Sequence, residues 1–105
     1  MQKINILVIG RHKQIMQTVL RLINQNSQWQ ADGAIMDEEA IDLFTNHSYD
    51  LVLLGGGIDD NSEQKLRSLF QSINPNAIII QHFGGGSGLL SNEIQEALDS
   101  RNHIR

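Results

Sequence analysis

Gly10, Gly55-Gly56-Gly57 and Gly84-Gly85-Gly86-Ser87-Gly88 are the stretches of this chain from which a binding site could be built. Glycine lets backbone N–H groups approach an anion, and helix N-termini favour negative charge. Arg11, His12 and His82 lie next to or near these stretches and could add positive charge or hydrogen-bond donors. Arg11, His12, Gly55, Gly56 and His82 are therefore the candidate set for a phosphate or another small anionic ligand. The competing reading is that the glycines make tight turns after strands and that the longest run is a connecting loop. Neither G-x-G-x-x-G after the first strand nor G-x-x-x-x-G-K-[ST] occurs, which favours turns.

Other chemistry finds less support. The four histidines, His12, His47, His82 and His103, have no metal-ligand spacing. His82 follows a strand, where a phospho-accepting or general-base histidine could stand, but nothing nearby in sequence orients it. No G-x-S-x-G elbow accompanies the serines, and Ser87 follows a glycine loop instead. There is no cysteine, which excludes disulfides and thiolate chemistry and fits a reducing compartment. Trp29 reads as edge-strand packing. The expectation is a chain with no catalytic residue, no metal site and no cofactor, and not an enzyme.

Composition narrows the partners. Eight basic residues stand against twelve acidic ones, for a net charge of −4, and no run of Lys or Arg appears. Binding to a phosphate backbone needs a positive stripe, so nucleic acid is not an expected partner. No apolar stretch approaches the roughly 20 residues that span a bilayer, so no membrane is expected either. The apolar run from Ile4 to Ile9 is shorter than the core of a signal peptide, and Arg11 and Lys13 follow at once. It reads as a strand, and the protein as cytoplasmic. A length of 105 residues with 40% hydrophobic content suits one folded domain over residues 1–105. Such a chain hides roughly 65% of its unfolded surface.

The elements that must position these residues follow from periodicity. Ile4 to Ile9 is apolar at nearly every residue, as in a strand buried on both faces. Ile15, Met16, Val19, Leu20, Leu22 and Ile23 recur at helical spacing from His12 to about Asn24. Gln28 to Met36 alternates like a half-exposed edge strand. Asp37 reads as the N-cap of a second helix, with Glu38 and Glu39 in its first turn and Ile41 and Phe44 facing the core. Asp50 to Leu54 is a strand ended by glycines. Asp59, Asp60 or Asn61 can cap a third helix carrying Leu66, Leu69, Phe70 and Ile73, which Pro75 stops. Ala77 to Ile80 is another strand. Ser91 caps a last helix with Ile94, Ala97 and Leu98, and the tail from Ser100 to Arg105 frays. Strand–helix alternation repeated four times implies a parallel sheet with helices on both faces and right-handed crossovers. The expected order is 2-1-3-4, with a crevice at the carboxyl ends of strands 1 and 3.

The strand Ile4–Ile9, the helix start Asp37-Glu38-Glu39-Ala40-Ile41 and above all Ser48-Tyr49-Asp50-Leu51-Val52-Leu53-Leu54 resemble the receiver domains of two-component response regulators. The resemblance runs in register over about residues 3 to 83. Leu89 to Leu98 is also similar to the start of that family's final helix. It implies a flavodoxin-like α/β fold and a phosphoryl-transfer site of five side chains. Two acids after strand 1 and an aspartate after strand 3 hold Mg²⁺, a hydroxyl follows strand 4 and a lysine follows strand 5. Mg²⁺ needs oxygen ligands and offsets phosphoryl charge.

Here the acid positions hold Gly10 and Arg11, the aspartate position holds Gly55, and the hydroxyl position holds Gln81, or His82 if the register slips by one. No lysine follows Lys65. Asp50 cannot substitute, because it begins the strand roughly 16 Å from Gly55, and Asp59 and Asp60 read as helix caps. No phosphoacceptor is expected. Only 23 residues follow His82, too few for a helix, a strand and a final helix. Gly84 to Gly88 are expected to replace the fourth helix and fifth strand, leaving strand 4 as an edge. Its Ile78, Ile79 and Ile80 carry no charge, and such edges invite pairing with another chain. The expectation is a degenerate receiver-like domain, not phosphorylated on aspartate, that acts through a protein partner or a homodimer in signalling. The alternative is a small anionic-ligand or phosphate-binding domain using the glycine-rich rim.

Overall fold

The computed structural model of the chain describes residues 3–55, 57–81 and 92–99. β1 (Ile4–Ile9), α1 (Lys13–Asn24), β2 (Trp29–Ala34), α2 (Asp37–Asn46), β3 (Leu51–Leu54), α3 (Asp60–Ile73) and β4 (Ile78–Gln81) alternate along the chain. A further helix, α4, covers residues 92–99. All described strand pairs are parallel, in the order β2-β1-β3-β4. This is the doubly wound arrangement expected from the strand–helix alternation.

The two central strands explain their own composition. Ile6 to Ile9 and Leu51 to Leu54 are all at most 3% exposed, because helices cover both faces of the sheet. Successive side chains point to opposite faces. On one face Ile6, Val8, Leu51 and Leu53 pack with Trp29 and Ala31 of β2, Met16 and Ile23 of α1, and Ile94 and Leu98 of α4. On the other, Leu7, Ile9, Val52 and Leu54 pack with Ala40 and Phe44 of α2 and Leu66 and Phe70 of α3. Trp29 is thus a core residue. No described helix is long and apolar enough to cross a membrane.

Several local expectations are corrected. The N-cap of α2 is Met36, which makes no side-chain cap, and Asp37 is the first helical residue. The Asp37 carboxylate is taken by Arg11 instead. Glu39 turns back to accept from the Ile35 N–H at 3.0 Å, which satisfies the chain just before the helix. β2 ends at Ala34 and not at Met36, and Met36 is 60% exposed. Ile15, expected on the core side of α1, is 60% exposed. Helix α1 rests on Met16, Val19, Leu20 and Ile23, and one residue of helical rotation carries Ile15 off that stripe. Ile73 is 42% exposed at the end of α3, one turn beyond the last contact at Phe70. β4, expected as a buried strand, is half-buried along its length, at the end of the row of described strands. The expected Ser91 cap and Gly84–Gly88 bridge lie outside the described residues, as does the tail from Ser100.

Of the three candidate caps for α3, Asp59 does the work. Its carboxylate accepts from the Ser62 N–H at 2.8 Å, filling one of the orphan donors of the first turn. Asp59→Ala is expected to lower the unfolding free energy by about 1 kcal/mol, measurable by urea titration.

Candidate functional site

Strand register builds one rim. Ile9 lies opposite both Ala34 and Leu54, and Leu54 opposite Gln81. The residues that follow β1, β2 and β3 therefore emerge together. The Gly10 N–H donates to the Ala34 carbonyl at 3.1 Å, and the Gly55 N–H donates to the Ile9 carbonyl at 2.7 Å.

Gly55 stands where the aspartate of a phosphorylated receiver is expected, and its neighbours make it a tight place. A Cβ there would lie 3.2 Å from the Ile9 carbonyl oxygen and 3.7 Å from Gly10 Cα. Gly57 is required for two reasons. Its φ is +85°, in the region that favours glycine, and a Cβ would meet Arg11 Cβ at 3.3 Å and Cγ at 3.4 Å. The loop after β3 thus lies against the stem of Arg11.

Arg11 is held at the β2–α2 junction. Its guanidinium donates to the Ile35 carbonyl at 2.7 Å and to Asp37 Oδ1 at 2.6 Å. The hydrogen bond from Arg11 holds the Asp37 carboxyl below the usual carboxylate range. Partial burial opposes this, and Ser62 and the charge of Lys65 add to it. Loops from β1, β2 and β3 are in this way tied by one cation and one carboxylate. The guanidinium is not an open cation awaiting an anion, since a phosphate would have to displace Asp37 to reach it in the same geometry.

His12 is the exposed residue before α1 and makes no side-chain cap. Gln81 ends β4. Gly56 and His82 lie outside the described residues. Asp50 is at the far end of β3, where its carboxylate accepts from the Asn5 N–H at 2.9 Å. Asp60 is exposed in the first turn of α3. Among the described residues, no group of three or more His, Asp or Glu is placed to hold a metal ion.

The counter-ion role of Asp37 was not anticipated from the sequence. A signal for it existed: opposite charges shortly after two strands expected to be neighbours. Tyr49 is a second such residue. It is buried, and its hydroxyl donates to Asp32 Oδ2 at 2.7 Å. Burial and the adjacent carboxylate push its ionisation well above the ordinary phenol range. An open groove of about 570 Å³, lined by Asn5, Gln30, Asp32, Glu39, His47 and Tyr49 among others, lies beside this bond. It is on the β2 flank and does not reach the glycines of the rim.

No family model matches the sequence, and no curated protein matches it. Solved structures do. A CheY-like response regulator receiver domain protein from Methanospirillum hungatei superposes with a TM-score of 0.80 at 14% identity, over 96% of this chain and 98% of that one. A response regulator receiver domain protein from Clostridium thermocellum gives 0.80 at 17%, over 97% and 99%. The non-phosphorylated HemR receiver domain from Leptospira biflexa gives 0.68 at 16%, over 98% and 97%. The chain has the fold of response regulator receiver domains.

Proposed function

We propose that this chain is a receiver-like signalling domain that is not phosphorylated on aspartate and acts by contact with protein partners. The observation that carries this reading is the rim itself. The ends of β1 and β3 present Gly10, Arg11 and Gly55, and the guanidinium of Arg11 spans to Asp37 and the Ile35 carbonyl. A phosphoryl-transfer site of the receiver type needs carboxylates there, to hold Mg²⁺ and to attack phosphorus. A fixed positive charge beside a glycine offers neither nucleophile nor ligand. The β3–α3 loop lies against the stem of Arg11 at Gly57, and what the domain signals is set by the protein that binds it. Absence of a positive stripe and a net charge of −4 favour protein over nucleic acid as partner.

Incubation with acetyl phosphate and Mg²⁺ is expected to give no phosphoryl adduct by intact mass. Gly55→Asp is expected to remain unmodified as well, because one carboxylate beside Arg11 does not rebuild a metal site and is crowded by the Ile9 carbonyl. A stable adduct on an aspartate of the unmodified sequence would refute the reading.

A further inference from the structure

Taking contact with a protein partner as the mode of action, we propose that the groove between β2 and α2 receives an Arg or Lys side chain from a basic segment of that partner.

Charge is segregated along this chain. No Asp or Glu stands before Arg21, and no Lys or Arg stands between Arg21 and Lys65. That second stretch carries nine of the twelve acidic residues. β2 and α2 hold five of the nine, and β2 is the outer strand on its side of the sheet.

Some of these acids are already used. Asp37 is taken by Arg11, Asp59 caps α3, and Glu63 pairs with Arg67 at 2.9 Å. Asp32, Glu38, Glu39 and Asp42 meet no Lys or Arg among the described residues. Glu38 and Asp42 stand one turn apart with like charge, an arrangement unfavourable to the helix alone. Both are exposed, so packing does not impose it.

The sheet leaves an opening beside them. Gln30 and Asp32 alternate onto the same face of β2 as Ala34. Ala34 is buried with Ala40 and Phe44 of α2, but Gln30 and Asp32 are exposed. The helix therefore covers only the carboxyl end of β2 on this face. Glu39, Leu43 and His47, spaced by four along α2 and its end, line the groove with Asp32, Asn5 and Tyr49. Its volume of about 570 Å³ admits a long side chain.

Two carboxylates of the lining are fixed in place. Asp32 Oδ2 accepts from the buried Tyr49 hydroxyl at 2.7 Å, and Glu39 Oε1 accepts from the Ile35 N–H at 3.0 Å. Each has a second oxygen with no partner among the described residues. A guanidinium or ammonium brings donors and positive charge together. A metal ion is the poorer fit, since among the described residues no third ligand joins these two. Strand addition is blocked at this flank. Asn24, in the last turn of α1, accepts from the Ala31 N–H at 2.9 Å, which is the place of a neighbouring strand's carbonyl. A partner here meets side chains and not an open strand edge.

Hexa-arginine peptide titrated into the full chain labelled with nitrogen-15 is expected to shift the amides of Gln30, Asp32, Glu39, Leu43 and His47 and to leave those of α4 in place. Hexa-glutamate is expected to shift none of them. Asp32→Asn and Glu39→Gln are each expected to weaken hexa-arginine binding about three- to fivefold, the range of one partly screened ion pair. Glu39→Gln keeps an acceptor for the Ile35 N–H, so it tests the charge with the local fold intact. Glu96→Gln removes the same charge from the exposed side of α4 and is expected to leave affinity unchanged. Binding is expected to fall as salt rises. No shift at about 1 mM peptide overturns the proposal. So do shifts spread over all exposed acids, or equal weakening by Glu96→Gln and the groove variants. Spermine shifting the same amides at equal affinity also overturns it and assigns the groove to free polyamines. An adduct in the acetyl phosphate assay would sink the reading on which this rests without moving these shifts, and absent shifts leave that assay's outcome as it was.

Discussion

Phe70→Ala is expected to lower the unfolding free energy by about 3–5 kcal/mol, the range for emptying a buried aromatic site. Phe70 is fully buried, and its ring stacks on Phe44 at 4.3 Å between centroids and 26° between planes. Phe44 in turn stacks on Tyr49 at 6.1 Å. These three rings join α3, α2 and the entry to β3 on one face of the sheet, so the cavity would open where three elements meet. A chain of this length has about 5–15 kcal/mol in total, so a loss of this size leaves part of the population unfolded at 37 °C. Urea unfolding followed by far-UV circular dichroism measures it. A loss below about 1 kcal/mol would mean that α2 and α3 close over the gap, against the stiffness expected of a packed core.

Arg11→Met is expected to cost about 1–2 kcal/mol at neutral pH, between the value of an exposed ion pair and that of a charge-assisted bond with a partly buried partner. The two side chains are 28% and 20% exposed, and the substitution strands both the Asp37 carboxylate and the Ile35 carbonyl. The pH dependence has a definite sign. Asp37 is lowered in the folded chain from an ordinary value of 3.8. Its contribution is fully present above that value and is lost as pH falls through the lower folded value. In Arg11→Met the lowering by arginine disappears and burial remains, so acid unfolding should begin at higher pH. Asp37→Asn should remove this group's share of the acid limb. The double variant Arg11→Met with Asp37→Asn should be more stable than Arg11→Met alone, because no stranded carboxylate remains. Equal stability of the single and double variants across pH 3 to 7 would show that the pair is not coupled.

Much of the architecture was legible in local pattern. Ile4 to Ile9 and Leu51 to Leu54 announce central strands because they are apolar on both faces, and only a sheet covered on both sides makes that composition stable. The alternation with amphipathic helices then leaves little choice of topology, and the order β2-β1-β3-β4 follows. Gly10, Arg11 and Gly55 can be assigned to the ends of β1 and β3 as soon as those strands are recognised. Failures came where a residue's direction depends on a distant partner. Asp37 has the right type and place for a cap, yet its carboxylate goes to an arginine 26 residues away. Ile15 fits the helical period but falls beside the stripe that α1 lays on the sheet.

The glycine rim also changed meaning between the two levels. In sequence, Gly55 is one glycine of a run that ends an apolar strand. In space it is a close approach, with the Ile9 carbonyl where a side chain would begin, and Gly57 is a left-handed turn against Arg11. By itself the sequence determined the alternating elements, the parallel sheet and the residue types that stand at the strand ends, because these depend on residue type and short-range periodicity. Only the tertiary structure decided that Arg11 is neutralised by Asp37, that Asn24 covers the β2 edge and that Tyr49 fixes Asp32 beside an open groove. Those outcomes turn on single hydrogen bonds a few ångströms long between segments brought together by the sheet, and no spacing along the chain encodes which side chain will reach which backbone group.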